Sequence, residues 1–156
     1  MINTKLRFTA TLLSFITSAV AMPSHIIAVS SNTGNLKINY STNNALSWHE
    51  ANYNHFSPKD AWVMLNPVTC TKNKICLLAG EYYKDGHLSG MILTSADNGE
   101  SWDYKKITPE SNLYTVACQG SFCVAGGSTS SKQATLFTST DAGKAWRLST
   151  ALPGTG

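Results

Sequence analysis

Four cysteines carry the clearest chemistry in this sequence. Cys70 and Cys76 enclose five residues, and Cys118 and Cys123 enclose four. Each pair brackets a predicted turn between adjacent strands. Four cysteines allow three disulfide connectivities. Repetition of the pattern favours the local one, Cys70–Cys76 and Cys118–Cys123, each bond contributing about 2 kcal/mol because its loop is short. A zinc site of four thiolates is the rival chemistry, but C-x5-C and C-x4-C are wider than the common zinc spacings. Other groups point to less. Sugar hydrolysis needs two carboxyls flanking a bond, whereas Glu81-Tyr82-Tyr83 lies in the run LLAGEYY, which reads as ordinary strand. His25, His49, His55 and His87 are scattered through turns with no HExxH-type spacing. Gly126-Gly127 follows a strand without the glycine spacing or helix of a phosphate site. Lys105-Lys106 is too short for a polyanion patch. Tyr53, Phe56 and Trp62 could line a peptide or glycan surface, but one aromatic per strand is also normal core composition. The residues assign no catalytic, cofactor or metal site.

Aspartates and tryptophans recur in a pattern. Three octets align without gaps: Ser41 to Trp48 (STNNALSW), Ser95 to Trp102 (SADNGESW) and Ser139 to Trp146 (STDAGKAW). The shared form is S-x-[D/N]-x-[G/A]-x-x-W. Around the cysteines, VTC followed by CLLAG matches VAC followed by CVAG. Cys70 to Cys118 is 48 residues, Cys76 to Cys123 is 47, and Trp102 to Trp146 is 44. Such phasing is the mark of a repeat architecture. Asp97 and Asp141 can accept N–H bonds inside a turn. Gly99 and Gly143 supply positive φ at no steric cost, and Trp102 and Trp146 can bury their rings against the hairpin or a neighbouring repeat. Asn43 and Ala45 replace Asp and Gly in the first octet, so that turn is expected to be the least well held. One Asp per turn falls short of the six to eight oxygens calcium requires.

The elements that must position these residues are short strands joined by turns, with no sustained helical periodicity. Residues 61–70, 75–83, 90–95 and 102–107 form one set of four strands; 114–118, 122–126, 134–139 and 146–150 form another. The first repeat shows only 26–30, 36–41 and 48–51 clearly. Four strands per unit of about 45 residues is the arithmetic of a β-propeller blade. The octet resembles the Asp-box, or BNR repeat, of sialidase-type propellers, which also occurs in non-enzymatic propellers. That resemblance implies an all-β fold of about three four-stranded antiparallel sheets, near 25–52, 61–107 and 113–150. For activity it implies three arginines holding a substrate carboxylate, an Asp acid and a Tyr/Glu nucleophile pair. The sequence holds only Arg7 and Arg147, so an arginine triad is impossible in this chain and the expectation is a non-enzymatic member.

Location and partners follow from composition. Lys5 and Arg7 precede an uncharged apolar run over 8–21 that ends Ala19-Val20-Ala21, the layout of a secretory signal cleaved after Ala21. That run of about 14 residues is short of the ~20 needed to span a bilayer. Export implies an oxidising compartment, which favours disulfides over thiolates. Ser (18), Thr (17) and Asn (12) supply nearly a third of the 156 residues. Without Lys5 and Arg7 the charge is ten basic against nine acidic residues, too little excess for a nucleic-acid binder. The resemblance to Asp-box propellers implies a protein or glycan partner at the propeller loops. Residues 22–156 at about 45 per blade give three blades, and closed propellers have about four to eight. An incomplete ring is therefore expected, with self-association as one way to complete it.

Overall fold

The computed structural model describes residues 15–22, 24–32, 35–54, 62–66, 68–84, 86–109, 111–129 and 131–149. Arg7, most of the expected export signal, His55, Phe56 and the C-terminal residues from Thr150 onward lie outside them. Among the described residues fourteen strands make three sheets. The first contains β1 (Phe15–Met22), β2 (His25–Asn32), β3 (Asn35–Ser41) and β4 (His49–Glu50) in sequence order. The third is likewise sequential: β11 (Ser111–Gln119), β12 (Phe122–Thr129), β13 (Ala134–Ser139) and β14 (Arg147–Leu148). In the second, β8 (Cys76–Lys84), β9 (His87–Ser95) and β10 (Ser101–Pro109) form an antiparallel meander, and β8 also pairs with the short β6 (Trp62–Leu65) and β7 (Thr69–Cys70). β5 (Asn52–Asn54) lies parallel to β10 on the outer edge.

The meanders form because the apolar residues alternate along these strands, so each middle strand buries a set of side chains on at least one side. Ile27, Val29, Leu36 and Ile38 of the first sheet meet Cys76, Leu78, Met91 and Leu93 of the second in one core. Leu77, Ala79 and Ile92, on the opposite side of the second sheet, meet Leu113, Val116, Cys123, Ala125 and Phe137 of the third. The second sheet is therefore covered on both sides. Three sheets packed face to face in chain order leave one side of the first and one side of the third outside both cores.

Two local findings differ from the sequence reading. The strand missing from the first repeat is β1, built from residues of the expected export signal and paired with β2 from Phe15↔Ser31 to Met22↔His25. The end of the first repeat is shared: Ala51 N–H donates to Ile38 O at 2.9 Å, while Asn52 N–H donates to Glu100 O of the second sheet at 3.0 Å. Tyr53 closes this stitch, since its hydroxyl accepts the Ile38 N–H at 2.7 Å. Burial, set against that hydrogen bond and reinforced by Glu50, pushes the Tyr53 hydroxyl up to about 12. Tyr53 thus ties two sheets together instead of lining an exposed binding surface.

Candidate functional site

The octets converge on one construction, and its hub is the serine. Ser41, Ser95 and Ser139 are all buried. Each hydroxyl accepts the N–H four residues on: Ala45 at 2.9 Å, Gly99 at 2.8 Å, Gly143 at 2.9 Å. Each donates to the third octet residue, to Asn43 Oδ1 at 3.0 Å and to Asp97 and Asp141 Oδ1 at 2.7 Å. That oxygen then accepts the N–H of Ser47, Ser101 or Ala145, at 2.9 Å in every case. A buried hydroxyl and an amide or carboxylate oxygen so satisfy the backbone of a turn that has no ladder partner. The fourth and fifth octet residues are left-handed throughout: Asn44 and Ala45, Asn98 and Gly99, Ala142 and Gly143 all have positive φ. The first octet, expected to be the least well held, keeps the same bonds, and its Asn43 adds one from Nδ2 to Ser47 Oγ at 2.8 Å.

Protonation of the aspartates is set by these bonds. Burial pushes the Asp97 carboxyl up, but donors from the Ser101 hydroxyl and N–H, the Ser95 hydroxyl and the Glu100 N–H outweigh it and hold it below the ordinary carboxylate value. Asp141 is held low chiefly by the Ala145 N–H and then the Ser139 hydroxyl. Both are therefore hydrogen-bond acceptors locked into turns. A proton donor in catalysis needs the reverse shift.

The cysteines brace the same end of the sheets. Cys70–Cys76 and Cys118–Cys123 are both bonded, each across directly opposed strand residues. Cys76 also lies opposite Ser95, and Cys123 opposite Ser139. The hairpin tips then reach the octets: Asn98 N–H donates to Lys74 O at 2.9 Å, and Ala142 N–H to Ser121 O at 2.8 Å.

The second and third octets also seat on the preceding sheet. A β carbon at Gly99 would fall 2.5 Å from Ile27 Cδ1, and one at Gly143 2.7 Å from Leu77 Cδ2. Trp102 is fully buried in the core it shares with the first sheet, and its indole N–H donates to Gly99 O at 3.0 Å. Trp146 repeats this bond to Gly143 O at 3.0 Å and packs against the core shared with the second sheet. The glycines thus serve close approach as much as positive φ, a role that octet spacing alone did not show.

Among the described residues, open clefts lie at both sheet junctions. One, of ≈ 560 Å³, is lined by Ser24, His25, Cys70, Thr71, Lys72, Lys74 and Asn98. The other, of ≈ 500 Å³, is lined by Thr94, Asp103, Tyr104, Lys105, Gly143 and Lys144. Away from them, Glu81 and Tyr82 are adjacent on β8 and so face opposite sides of the sheet. Tyr82 stacks near Tyr104 at 5.9 Å between ring centres, and burial pushes the Glu81 carboxyl up. Arg147 stands exposed on the outermost strand of the third sheet. Among the described residues no three His, Cys, Asp or Glu side chains are grouped to hold a metal ion. No helix there is long and apolar enough to cross a membrane.

Comparison with solved structures decides what these sheets are. A candidate glycosidase from Bacteroides thetaiotaomicron aligns with a TM-score of 0.52 at 13% identity, covering 87% of this chain and 50% of its own. A glycosyl hydrolase from Bacteroides ovatus aligns with a TM-score of 0.53 at 11% identity, covering 91% and 50%. The three sheets are β-propeller blades. A mutant Trypanosoma rangeli sialidase displaying trans-sialidase activity matches at 10% identity over 94% of this chain and 39% of its own, but its TM-score of 0.40 is too loose to bear on the fold. The chain spans about half the length of the two glycosidase structures. No protein-family model matches the sequence, and no curated protein matches it.

Proposed function

We propose that this chain is an exported, non-enzymatic propeller that recognises a protein or glycan. The observation that carries this reading is the ≈ 560 Å³ cleft between the first and second blades. Its wall is a hairpin stapled by Cys70–Cys76 and pinned to the octet turn through Lys74 O, so its shape is set before any ligand arrives. Exposed Lys72 and Lys74, with His25 opposite, favour a ligand carrying carboxylate or sulfate groups. Two disulfides accord with export to an oxidising compartment. On the enzymatic side, Glu81 and Tyr82 diverge across the sheet, and the one described arginine lies on an outer strand of another blade.

A second reading, part of a glycosidase, is favoured by the glycosidase descriptions of the two aligned structures and by the raised Glu81 carboxyl. A raised carboxyl is what a general acid requires. The readings separate in two assays on the exported protein. Saturable binding on an acidic-glycan array or in a pull-down of exported proteins, lost in Lys72→Ala/Lys74→Ala and without turnover of a fluorogenic sialoside, is the expected result. Turnover that disappears in Glu81→Gln would establish the glycosidase instead.

A further inference from the structure

We infer that removal of the export signal completes the cleft between the first and second blades. The α-amino group released on Met22 joins Lys72 and Lys74 as a third cationic contact for an anionic ligand. This inference rests on the reading of that cleft as the recognition site, and adds a group that the unprocessed chain does not possess.

The expected cut and the cleft wall are adjacent. The signal pattern ends at Ala21. Met22 is the last residue of β1 and stands opposite His25, the first residue of β2. Directly opposed residues of antiparallel strands lie about 4.5–5.5 Å apart between α carbons. Ser24, in the turn between these strands, has a left-handed φ of 67°, and its hydroxyl lies 3.3 Å from His25 Nδ1. Ser24 and His25 both line the cleft. Hydrolysis of the Ala21–Met22 bond takes up one water. The carboxylate forms on Ala21 and leaves with the signal. The amine stays on Met22 and is mostly protonated at neutral pH, since an α-amino group titrates near ~8. Two residues of chain span at most about 7 Å, which keeps the new charge close to Ser24.

The facing wall already carries the other two charges. Thr71 N–H donates to Ile75 O at 2.8 Å, and Asn73 N–H to Thr71 Oγ1 at 3.3 Å, so the stapled hairpin tip has one shape. Lys72 and Lys74 stand exposed on it. Among the described residues no acidic side chain lines the cleft, so an added cation strengthens its field without a neighbour to cancel it. Before cleavage the Met22 nitrogen is an uncharged amide with one N–H; afterwards it is an ammonium with three. The unprocessed chain thus holds an anion from the lysine wall alone, whereas the mature chain grips it from both walls. A ligand with two acidic groups, such as a short saccharide bearing carboxylate and sulfate, uses both. The cleft volume of ≈ 560 Å³ lies within the range of small-molecule sites.

The test is calorimetric titration of the exported protein with a sulfated heparin disaccharide, before and after selective acetylation of the α-amine. Peptide mapping places the acetyl group, and circular dichroism confirms folding. The exported protein is expected to begin at Met22 and to bind the disaccharide. Acetylation is expected to weaken binding about twofold to fivefold, the size of one exposed charge contact. Lys72→Ala/Lys74→Ala should abolish it. Binding that needs both lysines but is unchanged by acetylation would overturn this inference and leave the cleft reading standing. An exported chain that retains Met1 would do the same, because no amine then forms beside the cleft. Absence of saturable binding in every form would overturn the cleft reading and this inference with it.

Discussion

At the scale of single residues, the octet shows that a repeated motif is held by its least conspicuous member. Aspartate and glycine draw the eye, yet the buried serine hydroxyl makes three of the turn's bonds: it accepts two N–H groups and donates to the carboxylate. Ser95→Ala would leave the Gly99 N–H buried without an acceptor, at a cost of about 1–3 kcal/mol. A melting temperature equal to wild type would refute that role. Asp97 makes a different prediction. The folded chain holds its carboxylate below the ordinary value, so the unfolded chain takes up the proton first as pH falls. The stability it contributes is complete at neutral pH, declines as pH drops through the unfolded value near ~3.9, and is gone below the lower folded value. Denaturant midpoints measured across acid pH should fall more steeply for wild type than for Asp97→Asn. The geometry of Asn43 in the first octet indicates that the amide still supports the turn.

At the scale of elements, the turns link strands within a blade and blades to each other. Gly143→Ala combines a strained left-handed alanine with the 2.7 Å approach to Leu77 Cδ2. It should cost about 2 kcal/mol or more. Leu77→Val removes that δ carbon, so the double variant should be less destabilised than the sum of the two single changes, a non-additivity that urea titrations measure directly. Additive losses would mean that the octet does not seat there. The first strand raises a separate question. β1 pairs along β2, and the same residues carry the pattern of a cleaved export signal. Cleavage after Ala21 would remove all of β1 except Met22 and open the inner edge of β2, while β3 keeps its own pairing with β2. Intact-mass measurement of exported protein is expected to give a chain beginning at Met22. A chain retaining Met1 would leave β1 as the permanent inner strand of the first blade.

At the scale of the whole molecule, the two cores are arranged in series. The second blade contributes a face to each, so its loss would strip both neighbours, whereas damage to the third blade leaves the first core intact. Trp102→Ala, in the first core, should therefore destabilise the chain by about 3–5 kcal/mol. The equivalent change at half-buried Trp146 should cost less, and thermal melts of the two variants compare them. Reducing both disulfides should lower the melting temperature and loosen the packing around Cys76 and Cys123, which lie buried in the two cores as well as bracing the hairpins. Near-ultraviolet circular dichroism of the reduced protein reads that outcome.

The sequence by itself determined the repeat, the strand content, the octet turns and the pairing of neighbouring cysteines, because each depends on residues close together in the chain and recurs two or three times. Period-two alternation and turn chemistry are local, and local chemistry is what a linear pattern records. What only the tertiary structure decided is which side of each blade meets another. Gly99 and Gly143 read as turn glycines until Ile27 and Leu77, more than sixty residues earlier, are found against them. Tyr53 could serve a surface or a core until Ile38 N–H was found on its hydroxyl. Glu81 and Tyr82 read as neighbours, yet the pleat sends them to opposite faces. Contacts between blades depend on how sheets stack, and that stacking joins residues whose separation in the chain carries no periodic signal.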